Sequence, residues 1–289
     1  MNDITSKMQR KPAWLKRKIP SGGVYQGVHG ILNKGQLHTV CQEALCPNLG
    51  ECFSHKTATF LILGDHCTRN CRFCAVQHGV PTGLDPLEPE RVAQAAQGLD
   101  LKYVVITSVT RDDLPDGGAQ HFAETIRAIR RLLPAAQVEV LIPDLQGDWN
   151  ALVTILSAKP DVLNHNLETV PRLYAEVRPQ AVYQRSLELL RQVRQYDANI
   201  PTKSGLMLGL GEESEEVKRT LCDLLEMDCR ILTLGQYLQP SPRHLPVARF
   251  VTPEEFEEWK EKALNLGFEK VASGPFVRSS YHAKELLQN

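Results

Sequence analysis

Residues 103–142 read YVVITSVTRDDLPDGGAQHFAETIRAIRRLLPAAQVEVLI. The stretch opens on a β-branched run, Tyr103–Val109, and closes on another, Val138–Ile142. Between them Phe122, Ile126 and Ile129 recur at helical spacing, so a single apolar stripe can cover one face of a sheet. Strand, helix and strand in that order make a βα unit of a parallel sheet.

The same alternation continues in both directions. Further candidate strands are Thr59–Leu63, Val162–Leu167, Gly205–Leu210 and Ile231–Leu238. Helical periodicity recurs at Val92, Ala95, Ala96 and Leu99, and again at Val217, Leu221, Leu224 and Leu225. Helices near Leu152–Leu156, Leu187–Val193 and Phe256–Leu266 complete six βα repeats, two short of a full barrel. The expectation is an α/β fold, a partial (β/α)6 barrel over residues 58–268. Residues 1–57 lack the alternation and are punctuated by Pro20, Gly22, Gly23, Pro47 and Gly50, which predicts an N-terminal extension. Residues 269–289 form a C-terminal segment.

Lysine plus arginine (33) nearly cancels aspartate plus glutamate (34), so no global basic field draws nucleic acid or anionic lipid. The stretch Met1–Ser21 is polar and basic, without the apolar core of a signal peptide, and no apolar run is long enough to span a bilayer. These features predict a cytoplasmic monomer that binds neither nucleic acid nor membrane. In that compartment thiols stay reduced, so eight cysteines read as ligands or small core residues rather than disulfides.

Six of the eight fall between Cys41 and Cys74. Functional groups of a parallel barrel gather at the C-terminal ends of its strands, and Cys67-Thr-Arg-Asn-Cys71-Arg-Phe-Cys74 follows the first strand. Three thiolates in a short loop suit an iron-sulfur cubane with one iron left open to an external ligand. Zinc is the competitor, with His66 or His78 as a fourth partner. A second triplet, Cys41, Cys46 and Cys52, is also one ligand short, and spacing alone leaves it open to zinc or iron-sulfur. Cys222 and Cys229 could complete a site, although Cys222 lies in a helical pattern and reads first as core. Along the fourth strand, period-two alternation puts Asn164, Asn166 and Glu168 on the inward face, which suggests a ligand-lined cavity. Gly205, Gly209 and Gly211 do not fit a dinucleotide fingerprint in spacing or position.

The C-x3-C-x2-C loop with Phe73 resembles the radical S-adenosylmethionine superfamily, and Cys41–Phe53 followed by Cys67–Cys74 resembles the paired motif of lipoyl synthases. The likeness runs nearly end to end. It includes Lys11–Leu15, Thr107–Val109, Arg111–Gly118, Asn164–Thr169, Lys203–Gly209, Gly235–Tyr237 and Arg278–Tyr281. Thr110 departs from it, standing where aspartate is expected, and affects one polar contact but no cluster ligand.

The resemblance implies two 4Fe-4S clusters, one on Cys67, Cys71 and Cys74 and an auxiliary one on Cys41, Cys46, Cys52 and Ser279. It implies that S-adenosylmethionine on the open iron yields a 5'-deoxyadenosyl radical, and that the auxiliary cluster is the sulfur source for C6 and C8 of a protein-bound octanoyl-lysine. Thr107, Asn164, Asn166, Glu168 and Arg178 are the candidates for holding S-adenosylmethionine. Expected partners are an octanoylated lipoyl domain or H protein, a reduced ferredoxin- or flavodoxin-type donor, and the cluster-assembly machinery. The alternatives are another sulfur-inserting radical enzyme and a two-cluster electron carrier or zinc-stabilised binding module. An electron carrier would normally complete each cluster with protein ligands, which these triplets do not.

Overall fold

A computed structural model describes residues 9–16, 23–55 and 58–288. Of the basic stretch Met1–Ser21, residues 1–8 and 17–21 therefore lie outside the described residues. The extension carries α1 (Gly23–Lys34), β1 (His38–Thr39), α2 (Val40–Glu43) and α3 (Leu49–Ser54). The barrel starts at β2 (Thr59–Ile62) and passes through the short paired strands β3 (His66–Cys67) and β4 (Gln77–His78) to α4 (Glu88–Gly98). There follow β5 (Tyr103–Ser108), α5 (Ala119–Leu132), β6 (Gln137–Leu141), α6 (Trp149–Ser157), β7 (Val162–Asn164), α7 (Tyr174–Val177) and α8 (Tyr183–Tyr196). The chain closes with β8 (Thr202–Leu208), α9 (Ser214–Glu226), β9 (Ile231–Gln236), α10 (Pro253–Leu266), β10 (Lys270–Gly274) and α11 (Ala283–Gln288).

One sheet runs in the order β1-β2-β5-β6-β7-β8-β9-β10, with β1 antiparallel to β2 and every other pair parallel. The six expected βα repeats are present, and both edges are extended. β10 falls inside segment 269–289 and adds a seventh parallel strand. Its sequence, Lys270-Val-Ala-Ser-Gly274, offers only one β-branched residue, so propensity does not mark it. Parallel pairing with β9 along all five residues makes it a strand. The helical stripes face the sheet as expected: Phe122, Ile126 and Ile129 of α5 are fully buried, each contributing about 1.5–3 kcal/mol of transfer free energy.

Inside the barrel the core is ionic as well as apolar. The Glu139 carboxylate on β6 accepts from Lys203 Nζ on β8 at 2.9 and 3.2 Å, from the Tyr103 hydroxyl on β5 at 2.5 Å, and from Asn164 Nδ2 on β7 at 3.1 Å. Glu139 and Lys203 are excluded from solvent, so each charge depends on the other. Lys203→Met is expected to cost about 3–5 kcal/mol in chemical denaturation because it orphans a buried carboxylate. Adding Glu139→Gln should recover most of that loss, whereas additive losses would show that the pair is not the source.

The end of β7 decides which side chains reach the barrel mouth. Asn164 sits opposite Lys203, but four residues later Glu168 pairs with Leu206, one residue short of regular register. An extra residue is therefore accommodated between them as a bulge, and a one-residue shift reverses the side-chain alternation. Glu168 takes φ 66°, and Arg178 Nη1 braces the bulge by donating to the Asn166 and Leu167 carbonyls at 2.9 and 3.0 Å. Across the mouth, the C-terminal segment passes directly over Gly235 on β9, where any Cβ would lie 2.2 Å from the Val277 carbonyl oxygen. Only glycine admits that approach.

Candidate functional site

The loop Cys67–Cys74 hangs from the end of β3 and is clamped by backbone bonds from several directions. Thr68 N donates to Thr110 O at 3.0 Å, Arg72 N to Val177 O at 2.9 Å, Gly79 N to Cys67 O at 3.0 Å and Leu245 N to Arg72 O at 3.1 Å. His244 Nε2 lies 3.0 Å from Cys74 O, so that ring nitrogen carries the proton it donates. Arg69, 5 % exposed, donates to both Asp112 oxygens at 2.6 and 2.9 Å and to Asp144 at 2.6 Å. Those hydrogen bonds hold the Asp144 carboxyl below the ordinary range despite its burial. Thr110 takes part through its backbone, its amide 3.2 Å from Cys67 Sγ. Any residue at position 110 supplies that amide.

The second triplet spans two short helices of the extension. Thr39 caps α2 by accepting from Gln42 N at 3.3 Å, which sets Cys41 in the first turn. Cys46 follows that helix, its amide donating to Cys41 O at 3.1 Å, and Cys52 lies on α3. Asn48, between them and buried, donates to Phe276 O at 2.7 Å, and the Tyr281 hydroxyl donates to Glu51 Oε1 at 2.8 Å. Two contacts from the extension thus flank the segment that carries Ser279. The Ser279 hydroxyl oxygen accepts from Asn166 Nδ2 at 2.6 Å.

All six of these cysteines and Ser279 line one cavity of about 510 Å³ at the barrel mouth. They come from the extension, the β3–β4 loop and the C-terminal segment, elements far apart in sequence. Among the described residues no three His, Cys, Asp or Glu side chains are grouped to hold a single metal ion, so the thiols share a chamber rather than a preformed mononuclear site. Burial pushes the Cys41 thiol up to about 11 and the Cys74 thiol up to about 12, and raises Cys71 as well. Ligation would release those protons. His78 lines the cavity, whereas His66 Nδ1 lies 2.7 Å from Asp65. Cys222 on α9 and the buried Cys229, whose thiol donates to Thr202 O at 3.5 Å, do not line it.

Of the candidates for S-adenosylmethionine, Thr107, Asn166, Glu168 and Arg178 line the cavity and Asn164 does not. The Thr107 hydroxyl donates to Leu141 O at 3.0 Å. Asn164 keeps the inward face that the alternation gives it, but it precedes the bulge and is spent on Glu139 in the barrel core. Burial raises the Glu168 carboxyl above the usual range, with Arg178 and Asn166 opposing.

The bulge instead turns His165 into the cavity wall, a residue that strand periodicity assigns to the helical side. Its Nδ1 lies 2.8 Å from Ile142 O and so carries the proton. Nε2 is then a bare acceptor, buried and without a partner among the described residues. Burial lowers its pKa from 6.5 to about 4. Below 6.5 the unfolded chain binds a proton that the folded chain refuses, so this contribution to stability is complete above pH 6.5 and is lost as pH falls toward 4. Integrated over that window the loss is roughly 3 kcal/mol. His165→Phe is expected to flatten the pH dependence of unfolding there; an unchanged slope would assign it to other groups.

Comparison with known proteins places this arrangement. Residues 61–224 match the radical SAM superfamily, and residues 3–46 match the N-terminal domain of lipoyl synthase of the radical SAM family. A lipoyl synthase of Desulfotalea psychrophila is 60 % identical over 278 residues, covering 96 % of this chain and 93 % of that protein. One of Caldanaerobacter subterraneus is 57 % identical over 274 residues, covering 95 % and 96 %. Among solved structures, SuiB of Streptococcus suis bound to S-adenosylmethionine has a TM-score of 0.57 at 12 % identity, over 75 % of this chain and 50 % of that one. HydG, a hydrogenase maturase, has a TM-score of 0.55 at 13 % identity, over 91 % and 71 %. The structures share the fold, and the sequences share far more: the chain belongs to the lipoyl synthase family of the radical SAM superfamily.

Proposed function

We propose that the chain converts a protein-bound octanoyl group into a lipoyl group, with Cys67, Cys71 and Cys74 holding one 4Fe-4S cluster and Cys41, Cys46, Cys52 and Ser279 holding the other. The observation that carries this reading is the convergence of both triplets and Ser279 on one cavity. The donor set fits the groups. Thiolates are the ligands such clusters take, three per site leave one iron for S-adenosylmethionine in one case and for a hydroxyl in the other, and His165 Nε2 and Asn166 Oδ1 are buried acceptors with no partner among the described residues.

When bound, these groups supply a hydrogen-abstracting 5'-deoxyadenosyl radical and the sulfur for two unactivated carbons, chemistry that no amino-acid side chain provides. The protein's part is placement. The clamped loop fixes Cys67, Cys71 and Cys74 against the barrel. Thr107, Asn166, Glu168 and Arg178 present polar groups to S-adenosylmethionine, and His165 adds an acceptor. The C-terminal segment, lying over Gly235, brings Ser279 from the far end of the chain and covers the mouth, which keeps water from the reacting carbons.

The substrate is an octanoyl-lysine on a lipoyl domain or H protein, and the reductant is a ferredoxin- or flavodoxin-type protein. Cluster-assembly proteins load the sites. We place the reaction in the cytoplasm, where thiols stay reduced; among the described residues no helix is long and apolar enough to cross a membrane. Anaerobic iron and sulfide analysis with electron paramagnetic resonance tests the reading. About eight irons per chain are expected; zinc, or only half that iron, would contradict it.

A further inference from the structure

We propose that Asn166 is a positioning residue for Ser279: its side-chain amide fixes the serine hydroxyl at the rim of the auxiliary-cluster site. This rests on the reading of Ser279 as a cluster ligand. Asn48 holds the Phe276 carbonyl and Glu51 the Tyr281 hydroxyl on either side of Ser279, but they leave its side-chain rotamer unset. The polar contact that sets it comes from across the cavity, from the bulge after β7.

Asn166 Nδ2 has two hydrogens, and both are used. One points to Ser279 Oγ at 2.6 Å and the other to Glu168 Oε1 at 3.0 Å. The contact with Glu168 orients the amide, because the flipped arrangement would set the Asn166 carbonyl oxygen against a carboxylate oxygen. Arg178 holds the backbone beneath it through the Asn166 carbonyl at 2.9 Å. Opposite, Gly205 leaves room for the amide, since a Cβ there would lie 3.0 Å from Asn166 Oδ1 and 2.5 Å from Thr233 Oγ1. The amide is therefore held by its own neighbours and offers a fixed donor to the serine oxygen.

Such a donor acts on a ligand in two ways. It orients the lone pairs, and it stabilises negative charge on the oxygen once the hydroxyl has released its proton to solvent on binding iron. Serine is a hard and weakly acidic ligand on a soft iron-sulfur site, so its hold on iron depends on help that a thiolate would not need. Loss of an outer partner of this kind typically weakens a metal site by about 10- to 100-fold.

The test is the rate at which a chelator removes iron from the full-length, anaerobically reconstituted chain carrying Cys67→Ala, Cys71→Ala and Cys74→Ala. In that background iron reports the second site alone. Ser279→Ala should speed iron loss, and Asn166→Ala should speed it by about tenfold or more. The double variant should be no faster than Ser279→Ala, because both changes remove one contact; a general loosening of the fold would add instead and would overturn the proposal. Asn166→Leu, which keeps the branched shape without the donor, serves if the alanine variant unfolds, as judged by its thermal melt. Fast loss in Ser279→Ala with an unchanged rate in the Asn166 variants would refute the positioning role and leave the serine ligand standing. An unchanged rate in Ser279→Ala would refute the ligand assignment itself.

Discussion

Alanine at Cys67, Cys71 or Cys74 is expected to abolish cleavage of S-adenosylmethionine while leaving about half the iron on the chain. The structure separates the two triplets by element. The first sits on one loop tied to the barrel through Thr110, Val177 and Leu245, and the second sits on the helices α2 and α3 of the extension and the turn between them. Removing a thiol from the loop therefore leaves the ligands of the other site and their backbone untouched. Three thiolates are the minimum that anchors a cubane with an open iron, so no single loss is tolerable. The effect should be complete, with 5'-deoxyadenosine at background by chromatography and iron near half by colorimetric assay. Normal 5'-deoxyadenosine from any of the three variants would remove that cysteine from the site. Loss of all the iron would mean that the two sites do not load independently.

Ser279→Cys is expected to keep both clusters and to cleave S-adenosylmethionine, yet to form at least about tenfold less lipoyl product from an octanoyl-lysyl peptide. A cluster that donates sulfur must come apart, and an alcohol oxygen leaves iron more readily than a thiolate does. The substitution would tighten the anchor on a segment whose path over Gly235 leaves no slack, and it would replace the oxygen that accepts from Asn166. Single-turnover product analysis by mass spectrometry reads the result. Lipoyl product at the wild-type rate would show that release at Ser279 does not limit sulfur transfer.

The barrel was legible because short β-branched runs alternate with helical stripes, as in Tyr103–Ser108 and the stripe of Phe122, Ile126 and Ile129. β10 was not, since Lys270–Gly274 is a strand by pairing rather than by composition. The cysteine triplets were legible as ligand sets, but spacing alone left zinc and iron-sulfur open. Period-two alternation also failed locally. It carried the strand through Leu167 and left His165 on the helical side, whereas the bulge ends the regular register and exposes His165 to the cavity; Asn164, before the bulge, faces inward but is spent on Glu139. A signal was present in the run Asn164-His165-Asn166-Leu167-Glu168, where polar residues interrupt the β-branched pattern. The partnership of Asn166 with Ser279, across 113 positions of sequence, has no local signal at all.

The most direct measurement is the fate of an octanoyl-lysyl peptide incubated anaerobically with S-adenosylmethionine, a reductant and the chain reconstituted with isotopically labelled sulfide. A lipoyl peptide carrying two labelled sulfur atoms is the expected product, and it should vanish when Cys41, Cys46 or Cys52 is replaced by alanine. An octanoyl peptide left intact by a fully loaded chain, or converted to a methylthio derivative, would contradict the assignment.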